Sequence, residues 1–140
     1  MKNSKIDFVG IGAQKAGTTW LFKQFDKSNQ ITLPPKKELH YFDRDLSYPS
    51  PNLLTETFLK KRLRKPKWIL RAVFEIFKNM NEFKWYVSWI FSDYDDNWYL
   101  SLFEDSLKCK GEITPSYAIL REEDVKKMSD LLGRETKIIF

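Results

Sequence analysis

The sequence predicts an α/β fold, a parallel sheet with helices on both faces, and three stretches carry the prediction. Ile6, Phe8, Val9 and Ile11 form an apolar run of strand length, broken by Gly12 and Gly17 and followed at once by Leu21 and Phe25, one helical turn apart. Near the other end Val125, Met128 and Leu132 make the stripe of a helix, with Glu122 and Glu123 in its first turn and Gly133 as its stop. Residues 137–140 (Lys-Ile-Ile-Phe) then read as a buried strand, so strands alternate with helices as they do in parallel sheets.

The chain's 140 residues make one domain's worth, able to bury roughly two-thirds of the unfolded surface. Its formal charge of +5 favours anionic partners. Cys109 is the only cysteine, which rules out an intrachain disulfide and a thiolate metal cluster, and it reads as a packed or inert thiol. The first residues, Met1-Lys2-Asn3-Ser4-Lys5, lack the apolar region of a signal peptide, so a cytoplasmic location is expected.

Between the first strand and its helix lies a loop suited to anions. The leading N–H groups of a helix have no intrahelical partner, and the helix dipole adds about half a positive charge there. Gly12 and Gly17 let the main chain approach an anion, Thr18 and Thr19 offer hydroxyls at the cap, and Lys15 adds a full charge. The position of that lysine decides which phosphate is meant. A nucleoside triphosphate loop, G-x-x-x-x-G-K-[ST], needs lysine after the second glycine, where this chain has Thr18. The dinucleotide fingerprint G-x-G-x-x-G needs a third glycine where Lys15 stands.

The run Gly12-Ala13-Gln14-Lys15-Ala16-Gly17-Thr18-Thr19-Trp20-Leu21 resembles the 5′-phosphosulfate loop of sulfotransferases that use 3′-phosphoadenylyl sulfate (PAPS). The resemblance implies that residues Gly12 to Thr19 hold the nucleotide's 5′-phosphate and that Lys15 faces the bridging oxygen to the sulfuryl group.

Ser28-Asn29-Gln30 is a turn, Ile31-Thr32-Leu33 a short strand, and Pro34-Pro35 ends it. The next stretch, Lys36-Lys37-Glu38-Leu39-His40-Tyr41-Phe42-Asp43, would put Glu38 and His40 on one face if extended. A carboxylate beside cations is a sensible general base for moving a group onto a hydroxyl, worth about 10²–10⁴-fold. The bland alternative is a solvated charged loop with Tyr41 and Phe42 in the core. The stretch resembles the K-E-x-H-F-F-D segment of the heparan-type branch of sulfotransferases, with Tyr41 in place of a phenylalanine. By that resemblance Glu38 is the catalytic base, and Lys37, His40 and Asp43 belong to the acceptor site.

Residues 46–52 are loop, and residues 53–90 read as a mainly helical insertion divided at Pro66, with Leu70, Val73, Phe74 and Phe77 in helical register. The basic run from Lys60 to Lys67 fits a solvated helix face, or else an anionic acceptor or membrane surface. Arg71, Glu75, Lys78, Glu82 and Lys84 interrupt the apolar residues well before the ~20 that a membrane span needs. Trp68, Trp85 and Trp89 read as core or lid packing. Residues 98–103 are apolar but too few for period to choose between helix and strand, and W-Y-x-x-x-F there also resembles a sulfotransferase segment.

Gly111-Glu112-Ile113-Thr114-Pro115-Ser116-Tyr117 resembles the G-E-x-T-P-x-Y segment of many bacterial sulfotransferases, which lines the acceptor cleft. Tyr117 is then a substrate-binding candidate, or equally a packed residue at a strand end closed by Pro115. Ile113 replaces a lysine that the animal heparan-type enzymes carry. In the family, the strand matching residues 137–140 leads into an arginine-and-serine segment for the 3′-phosphate. The expectation is therefore an N-terminal portion of a longer P-loop-like sulfotransferase. It would take PAPS as co-substrate and a small-molecule or saccharide acceptor, with no metal, nucleic acid or membrane span. A P-loop kinase with a displaced lysine and a non-catalytic phosphonucleotide-binding relic are the alternatives.

Overall fold

A computed structural model describes residues 6–50, 54, 80–103 and 107–140. The first strand, β1 (Phe8–Gly10), is buried along its length. It leads through the glycine loop into helix α1 (Thr18–Asp26), which starts two residues earlier than the tryptophan that the apolar pattern picks out. Gly17 is the N-cap at φ 84°, a left-handed conformation that costs an L side chain about 1–2 kcal/mol. No side chain caps α1, so the threonine hydroxyls do not serve as caps. Phe25 of α1 packs edge-on against Phe8, with ring centroids 5.4 Å apart.

Strand β2 (Ile31–Thr32) is short, as the prolines that follow require. Helix α2 (Met80–Phe91) covers the end of the predicted helical insertion and runs one residue past it; residues 53 and 55–79 of that stretch, with the basic run, Trp68 and the Leu70–Phe77 register, fall outside the described residues. The first four residues of the ambiguous apolar hexad belong to helix α3 (Asp96–Ser101), settled by Asp95, whose carboxylate accepts from Trp98 N at its N-cap, and Leu102 is the C-cap. Strand β3 (Cys109–Ile113) ends at Thr114-Pro115, and a 3-10 turn (Pro115–Ile119) connects it to helix α4 (Glu122–Leu132), closed by Gly133 at φ 81°. Strand β4 is Lys137–Ile139.

The four strands form one parallel sheet in the order β2-β3-β1-β4, with Phe8 opposite Gly111 on one side and Lys137 on the other. This is an α/β arrangement, and the connections that leave the neighbouring strands β1 and β3 run in opposite directions across the sheet, toward β2 and β4. At Gly111 a Cβ would sit 2.3 Å from the Phe8 carbonyl oxygen, so only glycine allows the β1–β3 pairing. β4 lies at the edge of the described sheet, which leaves Ile138 and Phe140 exposed where the apolar run predicts burial. Cys109 is likewise exposed rather than packed, at the start of β3.

The core is aromatic. Tyr41, Phe42, Trp89, Trp98, Tyr99, Phe103 and Tyr117 cluster with Ile6, Val9, Leu39, Leu54 and Met128. Tyr41 stacks on Tyr99 at 4.4 Å between centroids, and Trp89 stacks on Trp85 at 5.1 Å. No helix among the described residues is long and apolar enough to cross a membrane.

Candidate functional site

In open parallel sheets ligands bind beyond the carboxyl ends of the strands, where the strand order reverses. A cavity of about 330 Å³ lies there, lined by Gln14, Lys15, Gly17, Thr18 and Thr19 after β1, Lys37 and Glu38 after β2, and Pro115 and Ser116 after β3. Three separate chain segments thus meet at one opening. Ala16 N donates to Ala13 O across the loop, whereas the amides of Gly17, Thr18 and Thr19 meet no acceptor among the described residues. Those amides, the start of α1 and the exposed Lys15, itself left-handed at φ 63°, form an electropositive wall. Gly12, Ala13 and Ala16 line an adjoining groove with Trp20, Leu21 and the end of β4.

The opposite wall is the segment after β2. It is not extended: Glu38 and His40 both lie at positive φ, 63° and 57°. The same-face argument from strand alternation therefore fails, yet the two side chains still meet, His40 Nε2 standing 3.6 Å from Glu38 Oε2. The segment is tied to the end of β3 by its backbone. Glu38 N donates to Ile113 O (3.3 Å), Leu39 N to Thr114 Oγ1 (3.0 Å) and Tyr41 N to the Tyr117 hydroxyl (2.9 Å). Strand pairing is thereby exchanged for side-chain acceptors, which frees the turn to present Glu38 and bury His40.

From the cavity inward the polar groups form a chain. Lys37 Nζ donates to Thr19 Oγ1 (3.2 Å) and to Glu38 Oε1 (2.6 Å). His40 Nδ1 lies 2.9 Å from Asp43 Oδ2, which also accepts from Ser116 Oγ at 2.6 Å. The hydrogen bond from His40, outweighing the cost of partial burial and joined by Lys37, lowers the Glu38 carboxyl from 4.5 to about 2. Burial opposes charge on His40, but its bonds to Asp43 and Glu38 prevail and raise it to about 9. His40 is an imidazolium at neutral pH, held between two carboxylates. Lys36 points away from the site, its ammonium 4.3 Å from the centre of the Trp89 ring.

Behind this chain is a second buried cluster. Glu112 is 1% exposed, and its carboxyl oxygens accept from Tyr99 OH (2.5 Å), Thr114 Oγ1 (2.7 Å) and Tyr117 OH (3.2 Å). Burial raises its pKa, against the lowering by those three donors. Tyr117 is 2% exposed and its hydroxyl is taken up by Tyr41 N and Glu112, so its contacts are those of the packed alternative. A larger cleft, about 900 Å³, runs between Tyr41–Leu46 and α4, and its lining mixes Arg44, Arg121 and Lys127 with Asp45, Asp96, Glu123, Asp124 and Asp130. It holds none of the loop residues. Ser116, Glu112 and Thr114 escape a reading of the sequence as individual site residues; their one signal is the polar spacing G-E-x-T-P-S-Y itself.

No family model, curated protein or solved structure matches the chain.

Proposed function

We propose that this chain bears the phosphosulfate loop and the base of a PAPS-dependent sulfotransferase, acting on a hydroxyl or amine acceptor. The observation that carries the reading is the single cavity in which the open amides of Gly17–Thr19 and Lys15 face the Glu38 carboxylate. A parallel sheet whose central strand runs through a glycine loop into a helix supports a P-loop-like arrangement. The loop amides and Lys15 would hold the 5′-phosphate end of PAPS, and the Gly12–Ala13 and Ala16 backbone would shape the turn around it.

Transfer requires the acceptor oxygen or nitrogen to attack sulfur while the bond from sulfur to the bridging oxygen breaks, its electron pair leaving on the 5′-phosphate. Lys15 steadies that developing charge, and Glu38 takes the acceptor's proton. His40 and Asp43 hold Glu38 in place from the inside, and Lys37 stands between base and loop.

Calorimetry with adenosine 3′,5′-bisphosphate (PAP) and with Mg·ATP tests the reading. PAP should bind, and Lys15→Ala should weaken it at least about tenfold, the range of one charge-assisted contact. Binding of Mg·ATP alone would assign a kinase instead. In a form of the enzyme that turns over PAPS, Glu38→Gln should abolish transfer without weakening PAP binding.

A further inference from the structure

We propose that Lys37 is a shared ammonium, clamped on the base when the site is free of nucleotide and surrendered to the phosphosulfate when nucleotide enters. The inference rests on the nucleotide reading above and adds an order of events to it. In the structure Lys37 Nζ bridges the two walls, reaching Thr19 Oγ1 at 3.2 Å and Glu38 Oε1 at 2.6 Å. Thr19 belongs to the first turn of α1, whose amides are the open donors of the loop. An anion seated on those amides lies on the Thr19 side of the ammonium and competes with Glu38 for it.

The competition favours the anion for two reasons. The phosphosulfate carries two negative charges, one on the phosphoryl and one on the sulfuryl group, and the 5′-phosphate monoester of PAP carries close to two near neutral pH, against one on a carboxylate. Glu38 also has a cation to fall back on, because His40 Nε2 faces its other oxygen at 3.6 Å. When Lys37 leaves, Oε1 is the oxygen uncovered, on a residue that lines the same cavity as the loop. The base is therefore masked until the donor is bound, and acceptor deprotonation without a sulfuryl donor present is suppressed. Nucleotide first, acceptor second, is the sequence this geometry sets.

A double-mutant cycle on PAP affinity reads the competition directly. Glu38→Gln removes the rival for the ammonium, so PAP should bind about two- to fivefold tighter, the size of a partly exposed ion pair. In a Lys37→Met background the same change should have almost no effect. Lys37→Arg, which keeps the charge, should restore the coupling, and urea unfolding of each variant shows that the fold is kept. If Glu38→Gln tightens PAP equally in both backgrounds, the carboxylate merely repels the nucleotide through space and the shared ammonium is overturned, while the nucleotide reading stands. If the wild-type chain binds no PAP, both fall together.

Discussion

His40 is the chain's only histidine, which makes its charge measurable without assignment by mutagenesis. Its proton NMR signal should titrate at about 9, and Asp43→Asn should bring that midpoint down by at least one pH unit, since Asp43 is its closest acid partner. The sign of the stability effect follows. His40 is raised from 6.5 to about 9 on folding, so its contribution is complete below 6.5 and lost as pH climbs through 9. Glu38 is lowered from 4.5 to about 2, so its contribution is complete above 4.5 and lost as pH falls toward 2. Urea midpoints measured across pH should therefore form a plateau between about 4.5 and 6.5 and fall off on both sides. A flat profile above 6.5 would show that His40 keeps no charged partners. Both residues sit in left-handed backbone that costs a side chain about 1 kcal/mol or more, so Glu38→Gly should lose less stability than Glu38→Ala, which drops the same cationic partners but keeps the strained side-chain backbone.

At the scale of elements, the turn after β2 is held by side chains at the end of β3 rather than by a partner strand. Tyr117→Phe removes the acceptor of Tyr41 N and one donor to Glu112, leaving a buried N–H alone, and should cost about 1–3 kcal/mol in urea unfolding. Gly111→Ala should cost more, because its methyl group would collide with the Phe8 backbone and part β1 from β3. These ties also explain what the sequence could and could not disclose. The strand, loop and helix at residues 6–26 and the helix ending at Gly133 are legible because each is a local change of period closed by glycine. The left-handed turns at Glu38 and His40 are not, since neither residue type requires positive φ and the cause lies some 75 residues away, at Thr114 and Tyr117. The candidate site was likewise readable in its parts, Lys15, Lys37 and Glu38, whereas Ser116 and Glu112 acquire their roles only through contacts made by the folded sheet.

For the whole molecule, the cavity exists only where residues 14–19, 37–38 and 115–116 converge, and nothing local holds those segments together. Their convergence depends on β1, β2 and β3 pairing in parallel, a set of contacts distant in sequence and slow to form. A nucleotide spanning them would thus act as a stitch through the fold. At a hundred times its dissociation constant it should add about 2.7 kcal/mol to stability, visible as a rise of several degrees in melting temperature. Heat resistance in the presence of candidate donors becomes a way to rank them before any product is known, and the compound that best keeps the chain from melting names the pocket's natural tenant.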